Sequence, residues 1–175
     1  PYHRFRGQAW VRPNRSEADR PSAWGDLLLL GTDPQIAIQL AAAGWPAATA
    51  ITPGYSYLLT VADPDRNVSP AVEDTVLVSA EVGDEGGQEV PGADVEVYVL
   101  KETDKNTGIF RGFVDTQPGL GRQVQGVLEG MPVQEVRFGY VDFANAKGQR
   151  NVINEMKLPV AAPVGETAGA ASAAR

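Results

Sequence analysis

The sequence predicts an all-β fold, an antiparallel β-sandwich, on three observations. Short runs of alternating apolar and polar residues recur from Tyr55 to Val160. Gly, Pro, Asp and Asn separate them, and the 19 Gly and 13 Pro of the chain suit many turns and few long helices. Each run is apolar on one side only, the pattern of sheets that bury one face and wet the other.

Taken in order, Tyr2 to Val11 reads as a strand carrying Phe5, Trp10 and Val11, and Arg12 to Ser22 as a polar, Pro-punctuated loop. Asp26 to Leu30 is a short apolar run ended by Gly31. In Gln35 to Ala43 the Ile36/Ile38/Leu40 alternation favours a strand and the three alanines a helix; the strand is preferred. Trp45-Pro46 breaks that segment. Tyr55, Tyr57, Leu59 and Val61 then alternate with Ser56, Leu58, Thr60 and Ala62. Thr75 to Val82 puts Val76, Val78 and Ala80 on one face, and Gly83 to Gly87 is a turn or mobile loop. Val95, Val97 and Val99 form the apolar side of a third run, opposite Asp94, Glu96 and Tyr98. Thr107 to Val114, Val133 to Val141 and Asn151 to Val160 complete the set. Residues after Pro163 are rich in Ala, Gly, Ser and Thr and are expected to be a linker or tail.

Composition narrows the function. A net charge of −7 and a pI near 4.7 disfavour nucleic acid and anionic membranes as partners. The chain has no cysteine, which excludes disulfides, thiol nucleophiles and Cys-based metal sites. No run approaches the roughly 18 apolar residues of a membrane span. The sequence begins at Pro1 without Met or a signal-like segment and is read as a piece of something longer. Phe5-Arg6-Gly7 returns as Phe110-Arg111-Gly112. Leu27 to Gly31 followed by Gln35-Ile-Ala-Ile38 parallels Val127 to Gly130 followed by Gln134 to Phe138. If the echo marks a repeat, residues 1–50 are the closing part of one unit or an N-terminal extension, and 51–162 are a complete second unit.

Asp63-Pro-Asp-Arg-Asn67 is the strongest candidate site. Asp63, Asp65, Asn67 and Asp74 are the expected ligands of a Ca²⁺ ion, because hard oxygens at alternating positions suit a cation that takes six to eight of them. Ser69, Glu73, Asp104 or Asp142 could add donors. An EF-hand is excluded in detail, since Val68 stands where that loop needs Gly and strands flank it. The alternative is an Asx-turn cluster, in which the same side chains accept from nearby backbone N–H groups. Asp-x-Asp is also similar to the metal-nucleotide motif of glycosyltransferases, but that motif needs an α/β fold.

Other chemistry is sparse. Asp115 and Asp142 follow strands and read as turn caps, not as a glycosidase pair. His3 is the single histidine, so no His-based zinc site or triad is expected. Gly119-Leu-Gly121 lacks the rest of a dinucleotide fingerprint. Asn67-Val-Ser69 is a formal glycosylation acceptor followed by Pro70. Trp10, Trp24 and Trp45, with Tyr55, Tyr57 and Tyr98, are the aromatics available to a sugar-stacking platform.

Several motifs together resemble the Ig-like or cadherin-like repeats of large bacterial and archaeal surface proteins. They are Val61-Ala-Asp-Pro-Asp-Arg-Asn67, Asp74-Thr-Val76, Glu102-Thr103 with Thr107-Gly-Ile-Phe-Arg-Gly112, and Tyr140-Val-Asp142, over about 110 residues. Asp104 stands where such repeats often have Gly. The resemblance implies an Ig-like β-sandwich without enzyme activity. It would be a structural or adhesive module of a secreted or cell-surface protein, steadied by Ca²⁺ and contacting neighbouring repeats or like subunits. The alternative is a carbohydrate-binding β-sandwich that takes a surface polysaccharide.

Overall fold

A computed structural model of the protein describes residues 3–4, 10–11, 31–84, 93–119, 124–130 and 134–162. Strands β1 (His3–Arg4) and β2 (Trp10–Val11) pair antiparallel, His3 level with Val11. Within the single strand expected over Tyr2 to Val11, His3–Arg4 and Trp10–Val11 pair with each other, and residues 5–9 lie outside the described residues. The remaining strands are β3 (Gln35–Leu40), β4 (Ser56–Ala62), β5 (Thr75–Asp84), β6 (Val95–Glu102), β7 (Ile109–Pro118), β8 (Val127–Gly130), β9 (Gln134–Asp142) and β10 (Val152–Pro159). They form one sheet in the order β10-β9-β5-β6-β7-β4-β3, antiparallel throughout, with β8 added in parallel beside β7.

The sheet bends between β6 and β7. Only Lys101 with Arg111 and Glu102 with Phe110 pair there. On one side lie β10, β9, β5 and β6; on the other β7, β4 and β3. At the opposite margin Ile51 bridges to Val160, its N–H donating to Pro159 O at 2.8 Å and its C=O accepting from Ala161 N at 2.8 Å. The nearly closed sheet is consistent with a β-sandwich around one core.

Gly112 lies where β7 passes closest to β6: a Cβ there would stand 2.6 Å from Leu100 Cδ2 and 3.3 Å from the Val99 carbonyl, so a larger residue would have to displace the Leu100 side chain.

Alternation fills the core from both sides: Tyr57, Leu59 and Val61 from β4, Val76, Val78, Ala80 and Val82 from β5, Val136, Phe138 and Tyr140 from β9. Burying a side chain such as Leu59 contributes about 1.5–3 kcal/mol.

One expectation changes. In β6 the valines face outward, and Tyr98, Leu100 and Glu102 face inward. The pleat offers one set or the other. Tyr98 and Leu100 bury more apolar surface than the smaller valines, and Glu102 is needed inside to hold a turn. β3 pairs along the whole of β4, from Gln35 with Ala62 to Leu40 with Tyr57. Residues on both sides of position 50 therefore belong to one sheet. The expected tail after Pro163 lies outside the described residues.

Candidate functional site

The acidic loop leaves β4 as a single 3₁₀ turn, Pro64–Arg66, capped by Asp63. Pro64 occupies the first turn, where its missing N–H is not needed. Asp63 is fully buried. Its Oδ1 accepts from Asp65 N at 3.0 Å, and its Oδ2 accepts from the Tyr140 hydroxyl at 2.6 Å. Burial pushes the Asp63 carboxyl above its ordinary range, and the Tyr140 hydrogen bond offsets this in part. The Tyr140 hydroxyl is pushed up by the same burial and by the carboxylate beside it.

The other three expected ligands have separate duties. Asp65 Oδ2 accepts from both the N–H and the hydroxyl of Thr32, tying the segment before β3 to the loop. Asn67 donates from Nδ2 to Asn106 Oδ1 at 3.0 Å. Asp74 Oδ2 accepts from Val68 N at 2.7 Å and Ser69 N at 2.8 Å, closing the loop ahead of β5. Several of the four behave as Asx-type caps.

A different grouping forms at the same end. Asp142, at the end of β9, is 1% exposed. Its Oδ1 accepts from Ala144 N at 2.9 Å, while its Oδ2 is buried with no hydrogen-bond partner. Burial raises its carboxyl above the ordinary range, and the charges of Asp63, Asp65 and Asp33 raise it further. Asp33 in turn accepts from Ala146 N at 3.2 Å, and Gly31 N donates to Asn145 O at 3.0 Å. The segment entering β3, the loop after β4 and the loop after β9 thus meet around four carboxylates. Among the described residues no three acidic or histidine side chains already surround a single ion position. A cation here would draw on backbone and hydroxyl oxygens as well, as Ca²⁺ does.

Glu102 holds the turn between β6 and β7 together. It is 3% exposed. Its Oε1 accepts from Thr107 N and Gly108 N, both at 2.7 Å, and its Oε2 from Asp74 N at 3.1 Å. Burial opposes its ionisation, but the amides of Gly108, Asp74 and Thr107 outweigh burial and hold its carboxyl below the usual range. Gly108 takes φ +65°, and a Cβ there would lie 2.8 Å from Pro64 Cα, so this turn also braces the acidic loop. Asp104 Oδ1 accepts from its neighbour Lys105 N at 2.7 Å, and its carbonyl accepts from the Thr107 hydroxyl at 3.2 Å. Asp115 is exposed and bonded to Ser56 Oγ.

The remaining candidates separate cleanly. Asn67 is 5% exposed and bonded, an inaccessible position for a glycan. Tyr57 and Tyr98 are buried, whereas Trp45 is 43% and Tyr55 41% exposed. Trp45 takes φ +45°, which is uncommon for so bulky a residue. Its ring centroid lies 6.3 Å from that of Phe113. Beside it is a depression of about 370 Å³ lined by Gln39, Trp45, Leu58 and Arg111. The side chains of His3, Trp10 and Trp24, and Gly121, lie outside the described residues. Among the described residues no helix is long and apolar enough to cross a membrane.

No protein-family model matches the chain, and no curated protein matches it either.

Proposed function

We propose that this chain is a non-catalytic, Ig-like structural module of a secreted or cell-surface protein, acting in spacing, assembly or adhesion. The observation that supports it best is how its buried carboxylates are used. Asp63, Glu102 and Asp142, together with the half-buried Asp74, each accept backbone N–H bonds that fix the loops between strands. Asp63 and Glu102 use both oxygens in hydrogen bonds, and the remaining Oδ2 of Asp142 is buried, out of reach of a substrate.

Ca²⁺ is part of this reading, as a stiffener of the acidic end. Support comes from the partnerless, buried Oδ2 of Asp142 among Asp33, Asp63 and Asp65. An ion there would relieve carboxylate repulsion and tie the segment entering β3 to the body. Thermal melting with millimolar Ca²⁺ and with chelator tests this. The module should melt higher with Ca²⁺, and Asp65→Asn should shrink the difference. Coincident curves would remove the cation from the account. Asp63→Ala is a poor probe, because it also strands the Tyr140 hydroxyl and the Asp65 amide.

A second reading is carbohydrate binding, favoured by Trp45 and Phe113 beside Arg111. Tryptophan fluorescence titrated with a polysaccharide panel tests it. A response lost in Trp45→Ala favours sugar binding, and no response across the panel counts against it.

A further inference from the structure

The outer face of the β3-β4-β7 side presents an aromatic ring at some expense to the backbone. Trp45 holds a left-handed φ of +45° in a loop fastened at several points. Its N–H donates to Ala42 O at 3.0 Å, and its carbonyl accepts from Gln39 Nε2 at 2.7 Å. Just beyond it, Leu40 N donates to Pro46 O at 2.9 Å, and Ala47 bridges to Gln39. Glycine is the ordinary occupant of such a position, and a bulky side chain there is disfavoured. The loop nevertheless fixes an indole over the sheet with 43% of the residue in water. Strain of this kind persists where the surroundings enforce it, and it clusters at ligand sites.

Around the ring, Gln39, Leu58 and Phe113 stand level across β3, β4 and β7, and Arg111 lies two residues before Phe113 on the same face of β7. Phe113 is exposed, and its ring is inclined at 44° to that of Trp45. The depression of about 370 Å³ among Gln39, Trp45, Leu58 and Arg111 thus combines an apolar floor, an aromatic wall and a cation. Arg111 is exposed. Its cross-strand neighbour Lys101 is engaged by Glu73, and Asp115, further along β7, is bonded to Ser56. Among the described residues no carboxylate stands within ion-pair distance of Arg111. In a chain of net charge −7, this guanidinium is left without a counter-ion.

We propose that this depression binds a sugar that carries a carboxylate on its ring, a uronic acid within a short oligosaccharide. The inference rests on the carbohydrate reading and names the class of sugar. A pyranose ring offers an apolar C–H face to the indole of Trp45, and the acid supplies the missing counter-ion. Residues two apart on one face of a strand are about 7 Å apart. That is the reach from the centre of a stacked sugar ring, through a carboxyl carried directly on it, to a guanidinium beyond. The planar guanidinium takes both carboxylate oxygens in a fork. A neutral sugar would leave Arg111 unpaired, and an acidic peptide would bring a carboxylate without a ring for the aromatic wall. The negative charge of the rest of the chain repels a long polyanion, so the site takes short oligomers, weakly and reversibly.

Isothermal titration calorimetry of the full chain tests this, with oligomers of galacturonate and of mannuronate, each beside its methyl ester. Esterification keeps the ring and removes the charge. At least one acid should bind, and at least about tenfold more tightly than its ester. Arg111→Gln should erase that preference, and Trp45→Gly should abolish binding of acid and ester alike. Arg111 is exposed and glycine suits a φ of +45°, so the circular dichroism of both variants should match the wild type. Acid and ester bound equally, or a preference that survives Arg111→Gln, overturns the inference and leaves sugar binding standing. Poly-glutamate bound as well as the uronates overturns it in favour of a general anion site. No heat from any saccharide removes the inference together with the carbohydrate reading.

Discussion

Replacing Asp142 with Asn separates charge from shape at the acidic end. The amide keeps an oxygen where Oδ1 accepts from Ala144 N at 2.9 Å. It places an NH₂ donor where Oδ2 now sits buried without a partner, facing the charges of Asp63, Asp65 and Asp33. The charge that burial and the neighbouring carboxylates disfavour is removed. The gain should be about 1 kcal/mol at neutral pH, the scale of one buried hydrogen bond. That corresponds to a rise in melting temperature of roughly 2–4 °C for a chain of this size. The pH dependence supplies an internal check. Asp142 and Asp63 have carboxyl groups raised in the folded state. Their contribution is complete below the unfolded value of about 3.9 and is lost as pH rises through the folded values. The wild type in chelator should therefore lose stability on going from mildly acidic to neutral pH, and Asp142→Asn should lose less. Melts followed by circular dichroism at several pH values, in chelator, measure both effects. An Asn variant less stable than wild type at neutral pH would refute the reasoning.

Three further outcomes are expected. Tyr140→Phe leaves Asp63 Oδ2 buried without its donor, which should cost about 1–3 kcal/mol at neutral pH and less in acid, where Asp63 is protonated; urea unfolding at two pH values shows this. Glu102→Ala strands the amides of Asp74, Thr107 and Gly108 and should cost about 3 kcal/mol or more by urea unfolding. Because the Glu102 carboxyl is lowered in the fold, its contribution is present above the unfolded value and fades as pH falls through the folded one, opposite in sign to Asp142. Gly112→Ala drives a methyl into Leu100 and the Val99 carbonyl at the bend and should cost about 1–3 kcal/mol, read as a lower urea midpoint.

Local pattern made some of this legible and hid the rest. β4, β5 and β9 were readable because most apolar residues of each fall on one pleat face, and that face is the buried one. In β6 both faces carry apolar residues, so alternation alone could not choose. The choice came from Glu102 and from the volumes of Tyr98 and Leu100. β8 is four residues long and includes a buried Glu129 whose N–H donates to Asp94 Oδ2 at 2.8 Å. Its pairing with β7 is nonlocal, and nothing in Val127 to Gly130 announces a strand. The acidic loop was visible as a cluster of oxygens, but its partners were not. Thr32, Tyr140 and Asp142 come from distant segments, and only the sheet order brings them to Asp63 and Asp65. Asp74 was read as a ligand from proximity in sequence; its oxygen faces the loop backbone.

Amide hydrogen exchange of the full chain, with and without Ca²⁺, tests most directly the idea of a rigid strand body whose acidic end is tightened by a cation. Leu59, Val78 and Phe138 should exchange slowest in both conditions, and Thr32 and Ala144 should slow markedly when Ca²⁺ is added. Central strand amides exchanging as fast as the loops, or Thr32 and Ala144 indifferent to Ca²⁺, would contradict it.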